Sequence, residues 1–211
     1  MHGNSISLSQ DNLIASKVDI DDPQYILGNT SYTFGKHYFE INLLTEPIMK
    51  SVIIGVAVKR DPNSLTASDV RNFYGHILSD AKKIQSASGK QEINNFGECC
   101  GINDIFGVLV EFKENKVEVS FYKNKIKMGM AFGNLAMDRY FPAVCLGLMG
   151  TKVRISGEIE FPEEDELVKN QEGIQNNEKV EENNKKDKKD NNENKIEDKK
   201  DEDNIENKKN N

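Results

Sequence analysis

No stretch of the 211 residues approaches the ~20 apolar residues in a row that cross a bilayer as a helix, and no N-terminal run has signal-peptide form. Cysteine is scarce. Cys99, Cys100 and Cys145 make an odd count, show no framework spacing, and include an adjacent pair. That argues against a disulfide scaffold and for a reducing compartment. The expectation is a soluble cytoplasmic protein, with a nuclear location left open by Lys185-Lys186 and Lys188-Lys189, although Asp187 and Asp190 dilute those clusters. His2, His37 and His76 form no His-x-x-x-His pattern, and the cysteines form no Cys-x-x-Cys, so no metal or cofactor is expected. Nucleophile-elbow and phosphate-cradling glycine patterns are also missing. Glu40 reads as a strand carboxylate and Asp104 as a turn cap accepting backbone N–H bonds. The Cys99-Cys100 pair has no evident base beside it in sequence. The chain is therefore not expected to be an enzyme.

Helical periodicity is the next absence. Nowhere in residues 1–161 do apolar residues recur at three-and-four spacing over ten residues. What is there instead is a period of two. His37–Leu43 alternates, and Val52–Val58 is an apolar run that suits a strand buried on both faces. Ile105–Phe112, Val117–Tyr122, Ile126–Phe132, Ala143–Leu148 and Lys152–Ile155 continue the series, with polar turns between them. Many short strands and no helices predict an all-β, antiparallel sandwich or barrel. Charge divides the chain. Residues 163–211 hold 17 acidic and 11 basic side chains, a net of −6 out of −7, which leaves about −1 for the body. A nearly neutral body argues against nucleic-acid binding. The polar tail has too little apolar surface to offset ordering costs of about 1–2 kcal/mol per residue and is expected to be disordered. The domain boundaries read as 1–161 and 162–211.

The order of the segments resembles the SPRY domain family. Gly35-Lys36-His37-Tyr38-Phe39-Glu40-Ile41 is similar to its "G-K-H-Y-F-E-V" strand, and Ile54-Gly55-Val56-Ala57 to "I-G-V-A". Ser120-Phe121-Tyr122-Lys123-Asn124 and Gly129-Met130-Ala131-Phe132 resemble "S-F-Y-K-N-G … G-V-A-F". Tyr140-Phe141-Pro142-Ala143-Val144 resembles "L-Y-P-A-V". The resemblance implies a bent β-sandwich of two antiparallel sheets that binds other proteins without chemistry of its own, of the stand-alone SPRY type. Three departures mark a divergent member. Tryptophan is absent, with Phe39 and Phe73 where Trp is frequent. Asn103 replaces a glycine before Asp104. Lys125 replaces the glycine of an Asn-Gly turn, which predicts a hairpin turn either strained or widened by one residue.

In peptide-binding SPRY domains several loops converge at one end of the sandwich. Carried over by position, the resemblance implies a peptide site formed by Arg60, Arg71, Tyr74, Leu148 and Met149. Phe73 and Tyr74 fall in a long polar segment, 60–103, which reads as a connection, and Leu148 and Met149 could equally complete the core. The expected partner is a protein or short peptide, with no nucleic acid and no membrane; the oligomeric state is left open. Two other readings stand beside it. A lectin-like sandwich would need calcium-binding loops, for which Asp61, Asn63, Asp69 and Asp80 lack the spacing. A structural subunit of a ubiquitin-ligase or chromatin-modifying complex is the other.

Overall fold

The alternation seen in the sequence becomes two antiparallel sheets in the computed structural model, which describes residues 2–9, 12–61, 69–87, 89–158 and 161. Sheet A runs, in spatial order, β3 (Gln24–Leu27), β12 (Tyr140–Leu146), β5 (Val52–Lys59), β6 (Val70–Ile77), β7 (Lys82–Ala87) and β8 (Lys90–Asn95). Sheet B runs β1 (Ile6–Ser9), β2 (Ile14–Lys17), β13 (Lys152–Glu158), β4 (Lys36–Leu43), β9 (Ile105–Phe112), β10 (Val117–Lys123) and β11 (Ile126–Leu135). No α-helix occurs among the described residues. The expected tail, 162–211, lies outside them.

Each sheet turns alternate side chains inward. Ile54, Val56 and Val58 of β5 and Val144 and Leu146 of β12 meet Phe39 and Ile41 of β4, Val108 and Val110 of β9, and Val117, Val119 and Phe121 of β10. This is the face assignment that the alternation in Val117–Tyr122 predicts. Val52–Lys59 is buried on both faces apart from half-buried Ile53, as its apolar run requires: Ile54, Val56 and Val58 pack between the sheets, and Ala57 packs in a second cluster on the outer face.

The segment 60–103 is not a connection. It contains β6, β7 and β8, and Phe73, Tyr74 and His76 all lie on β6. The reason is legible afterwards. In Val70–Ile77 both faces pack, so the apolar residues do not alternate, and Arg71, Asn72, Gly75 and His76 give it a polar composition. The N-terminal strands β1, β2 and β3 were equally unforeseen. They extend each sheet at one edge, β2 on β13 and β3 on β12.

The β10–β11 hairpin settles the question raised by Lys125. Lys123 pairs with Ile126, so the loop has two residues and is not widened. Asn124 and Lys125 both adopt positive φ, +51° and +68°. That is the type I′ arrangement, with a side chain where glycine is preferred. Asn124 is held there: its Oδ1 accepts from the Ile105 N–H at 2.9 Å and its Nδ2 donates to Asp104 at 2.7 Å. Asp104 in turn caps the neighbouring turn, accepting the Gly101 N–H at 2.8 Å.

The outer face of sheet B carries a second aromatic layer. Tyr38 and Tyr122 are buried there, and the Tyr38 hydroxyl donates to the buried Glu40 at 3.0 Å. Phe161, beyond β13, places its ring edge-on to both tyrosines at 5.4 and 5.8 Å, with the Lys36 ammonium 3.9 Å from its centroid. Glu40 is thus a structural carboxylate tied to Tyr38. Phe161→Ala should lower stability by about 2 kcal/mol, less than a fully buried Phe→Ala because the ring is half-buried. Denaturant unfolding would check this; an unchanged midpoint would mean that the ring covers nothing of consequence.

Candidate functional site

The outer face of sheet A carries an apolar cluster of its own. On this face β5 turns out Ile53 and Ala57, β6 Phe73 and Ile77, β12 Ala143 and Cys145, β3 Tyr25 and Leu27, and β7 Ile84. Leu27, Ala57, Phe73, Ile77, Ile84 and Ala143 form a second apolar cluster, with Tyr25, Ile53 and Val70 packed on it. At one end the cluster opens as a groove of about 360 Å³ floored by Ile53, Ile77, Ile84 and Cys145 and rimmed by Met49, Leu148 and Ile93.

Two loops raise the rim. Ser51 N–H donates to Ile48 O at 2.8 Å and Lys50 N–H to the Ser79 hydroxyl at 3.0 Å, fixing the loop before β5. Within it Met49 and Lys50 both take positive φ, +49° and +59°. Two consecutive non-glycine residues there cost roughly 1–2 kcal/mol each, a strain that persists only where surrounding structure enforces it. The loop after β12 is tied down by Gly147 N–H to Ser51 O at 2.8 Å and Gly150 N–H to Lys17 O at 2.9 Å. The outcome is three large apolar side chains held in solvent: Met49 is 81% exposed, Met149 60% and Leu148 36%.

The five residues expected to form a peptide site are not brought together. Leu148 lines the groove and Met149 follows it in the same loop; both are on the surface and not in the core. Arg60 and Arg71 lie at the other end of sheet A, where Arg60 N–H donates to Asp69 O at 2.9 Å and Arg71 is ion-paired with Asp138. The length of β5, eight residues at ~3.3 Å each, separates the two groups by more than 20 Å. Part of the Arg60–Arg71 loop, 62–68, lies outside the described residues. Tyr74 is neither rim nor floor. It points between the sheets, 6% exposed, with its ring 5.4 Å from Phe132 and 6.2 Å from Tyr140, and burial pushes its hydroxyl pKa up. Met49, Ile53, Ile77, Ile84 and Ile93 were missed. A signal existed for two of them: Ile84 and Ile93 are lone apolar residues inside polar stretches, and the β7–β8 pairing sets them opposite each other.

His76 and two of the three cysteines are buried. His76 is fully buried, its Nε2 3.0 Å from Phe96 O, and burial lowers its pKa to about 4. Burial also pushes the thiols of Cys100 and Cys145 up to about 12. Cys99 is exposed and donates its Sγ–H to Ser79 O at 3.1 Å.

Comparison with known proteins matches this architecture to a family. The SPRY domain model matches residues 36–158. The chain belongs to the SPRY domain family. SPRY domains generally serve as protein-interaction modules without catalysis. The ATP-dependent RNA helicase Ddx1 of Drosophila melanogaster is 30% identical over 115 residues, 53% of this chain and 14% of the helicase. SPRY domain-containing protein 3 of Homo sapiens is 22% identical over 139 residues, 64% of this chain and 31% of that protein. The chain thus spans well under half the length of the curated relatives it matches. Among solved structures, the SPRY domain of human HERC1 superposes with a TM-score of 0.54 at 17% identity, covering 72% of this chain and 92% of that one. A carbohydrate-binding module, CBM66 from Bacillus subtilis, superposes at 0.50 with 10% identity, covering 74% and 90%. These likenesses show a shared sandwich. Strands β1, β2 and β3 lie ahead of the SPRY match and Phe161 beyond it.

Proposed function

We propose that this SPRY domain holds a partner protein in the groove on the outer face of sheet A, between the Met49 and Leu148–Met149 loops, and performs no chemistry there. The observation that carries the reading is the pair of hydrogen-bonded loops that display Met49, Leu148 and Met149 in solvent, the first two of them lining a groove floored by Ile53, Ile77, Ile84 and Cys145. Large apolar side chains exposed together, as Met49, Leu148, Met149 and Ile93 are, are characteristic of protein interaction sites, and methionine suits a surface that must adapt to what docks on it. Arg60 and Arg71 belong to the opposite end and take no part. The free thiols of Cys99, Cys100 and Cys145 support a reducing compartment, hence the cytoplasm or nucleus.

The test is affinity capture from native lysate with quantitative mass spectrometry. Three baits are needed: wild type, Met49→Asp/Leu148→Asp, and Arg60→Glu/Arg71→Glu. Placing two carboxylates in an apolar contact should deplete genuine partners at least tenfold, a loss in the range of interface hot spots. The arginine variant should retain them. Identical partner lists for wild type and the groove variant would remove the groove from this reading.

A further inference from the structure

Strand β8 borders the groove and ends sheet A. Its register with β7 fixes which backbone groups are free. Phe96 N–H donates to Ala81 O at 2.9 Å, and the next pair inward is Lys82 with Asn95. In an antiparallel ladder, hydrogen-bonded and non-hydrogen-bonded pairs alternate. Asn94, Glu92 and Lys90 therefore bond to β7, while Gln91, Ile93 and Asn95 turn their N–H and C=O groups away from it. The side chains follow the same alternation: Gln91 and Ile93 line the groove, and Lys90 and Glu92 stand on the other face. The residues that offer free backbone groups are thus the ones that face the groove.

The other sheet edges are blunted. Strand β3 is bridged by His2, and Gly3 N–H donates to Tyr25 O at 3.1 Å. Strand β11 shifts register three times against β10, and β1 has four residues. Strand β8 has six residues, all exposed, and pairs with β7 without a shift. Proteins normally protect such an edge.

We infer that β8 receives an extended segment of a partner protein by strand addition, and that alternate side chains of that segment lie on the groove side of the sheet, against Gln91 and Ile93. This rests on the groove being the binding surface and specifies the shape of what it takes. A partner residue opposite Ile93 shares its face of the sheet and packs on Ile93, which is 41% exposed at the edge of the groove. The segment is thus six or so residues long, with an apolar residue at every second position. A second copy of this chain is a poor occupant. Pairing β8 with β8 would join two polar strands whose single apolar side chain is Ile93, far short of the ~1,200 Å² that a stable dimer buries.

The test starts from a phage-displayed library of random twelve-residue peptides selected on the full chain, with the tightest peptide then synthesised. The enriched peptides should alternate apolar and polar residues. N-methylating every second amide of the synthetic peptide, in one phase only, should weaken binding to wild type at least tenfold; methylating the other phase should not. Gln91→Pro and Asn95→Pro remove free N–H groups without touching the bonds to β7, and each should weaken binding similarly. Suppose the peptide tolerates methylation in both phases and both proline variants, yet loses binding to Met49→Asp/Leu148→Asp. Then strand addition is wrong and the groove reading survives. Binding unaffected by any variant, or no enriched peptide at all, overturns both. A dimer in analytical ultracentrifugation that Asn95→Pro converts to monomer assigns the edge to a second copy and overturns the inference.

Discussion

Acidification from pH 7 to pH 4 should remove about 3 kcal/mol of folding stability through His76 alone. The side chain is fully buried on the inner face of β6, among Phe96, Phe106 and Phe121, whose rings lie 6.1, 5.3 and 5.9 Å from it. Burial away from water disfavours the imidazolium and lowers the pKa to about 4; hydrogen bonding to Phe96 O works the other way and is outweighed. In the unfolded chain the group titrates near 6.5. Between these values the unfolded state holds a proton that the native state does not, so stability falls as pH falls. The contribution is whole above pH 6.5, declines through the window, and is spent below pH 4. A gap of this size corresponds to about 3 kcal/mol at 1.36 kcal/mol per unit.

The window separates His76 from the carboxylates. Burial raises Asp104, but the Gly101 N–H, Asn124 and Lys123 together outweigh that and hold its carboxyl below the ordinary value of 3.8. Its stabilisation is therefore lost only as pH drops through and below the ordinary carboxylate range, after most of the His76 effect has passed. Denaturant midpoints measured every half unit from pH 7.5 to 4.5 should show a slope that His76→Asn abolishes. A wild-type slope equal to that of the variant, or an imidazole seen by NMR to titrate near 6.5 in the native state, would refute the assignment.

Most of the sandwich was legible because its strands obey the period of two or are apolar throughout. Strands β4, β5, β9, β10, β11, β12 and β13 fall in this class, and they include most of the strands that build the core between the sheets. Strands β6 and β8 hid for opposite reasons. Both faces of β6 pack, so its apolar residues lost their alternation. Neither face of β8 packs fully, so it reads as polar loop. The candidate site was legible only at Leu148 and Met149, through their position relative to a familiar strand. The rest of the groove joins residues from β5, β6, β7, β8 and β12, whose spatial order is not their order in sequence. Arg60 and Arg71 were grouped with Met149 because the resemblance carries loops over by their position in the sequence, which does not say at which end of the sheet each one lies. Only the register of β5 with β12 and β6 shows that they stand at opposite ends.

Gly55→Ala should be the most damaging small substitution in the chain, at about 4 kcal/mol or more, a loss reserved for changes that no local adjustment absorbs. Gly55 pairs with Gly75 across β5 and β6. A Cβ at position 55 would stand 1.9 Å from the Tyr74 carbonyl oxygen and 2.5 Å from the Gly75 Cα. Both obstacles are backbone, so no rotamer change relieves them, and two central strands of sheet A would have to part. Gly107 supplies the contrast. A Cβ there would meet the Tyr38 hydroxyl at 2.2 Å, a side-chain obstacle on the outer face of sheet B. Tyr38→Leu should therefore recover part of the loss in Gly107→Ala, giving a favourable coupling of about 1 kcal/mol or more in a double-mutant cycle. No side-chain substitution at position 74 should recover Gly55→Ala, since the clash there is with the main chain. Thermal melts of Gly55→Ala, Gly107→Ala, Tyr38→Leu and the Gly107→Ala/Tyr38→Leu double variant would decide it, with Gly55→Ala expected to lower Tm by on the order of 10 °C or more. A Gly55→Ala protein melting within a few degrees of wild type would show that β5 and β6 can separate at Gly75 without cost, and would undo the account of why both positions are glycine.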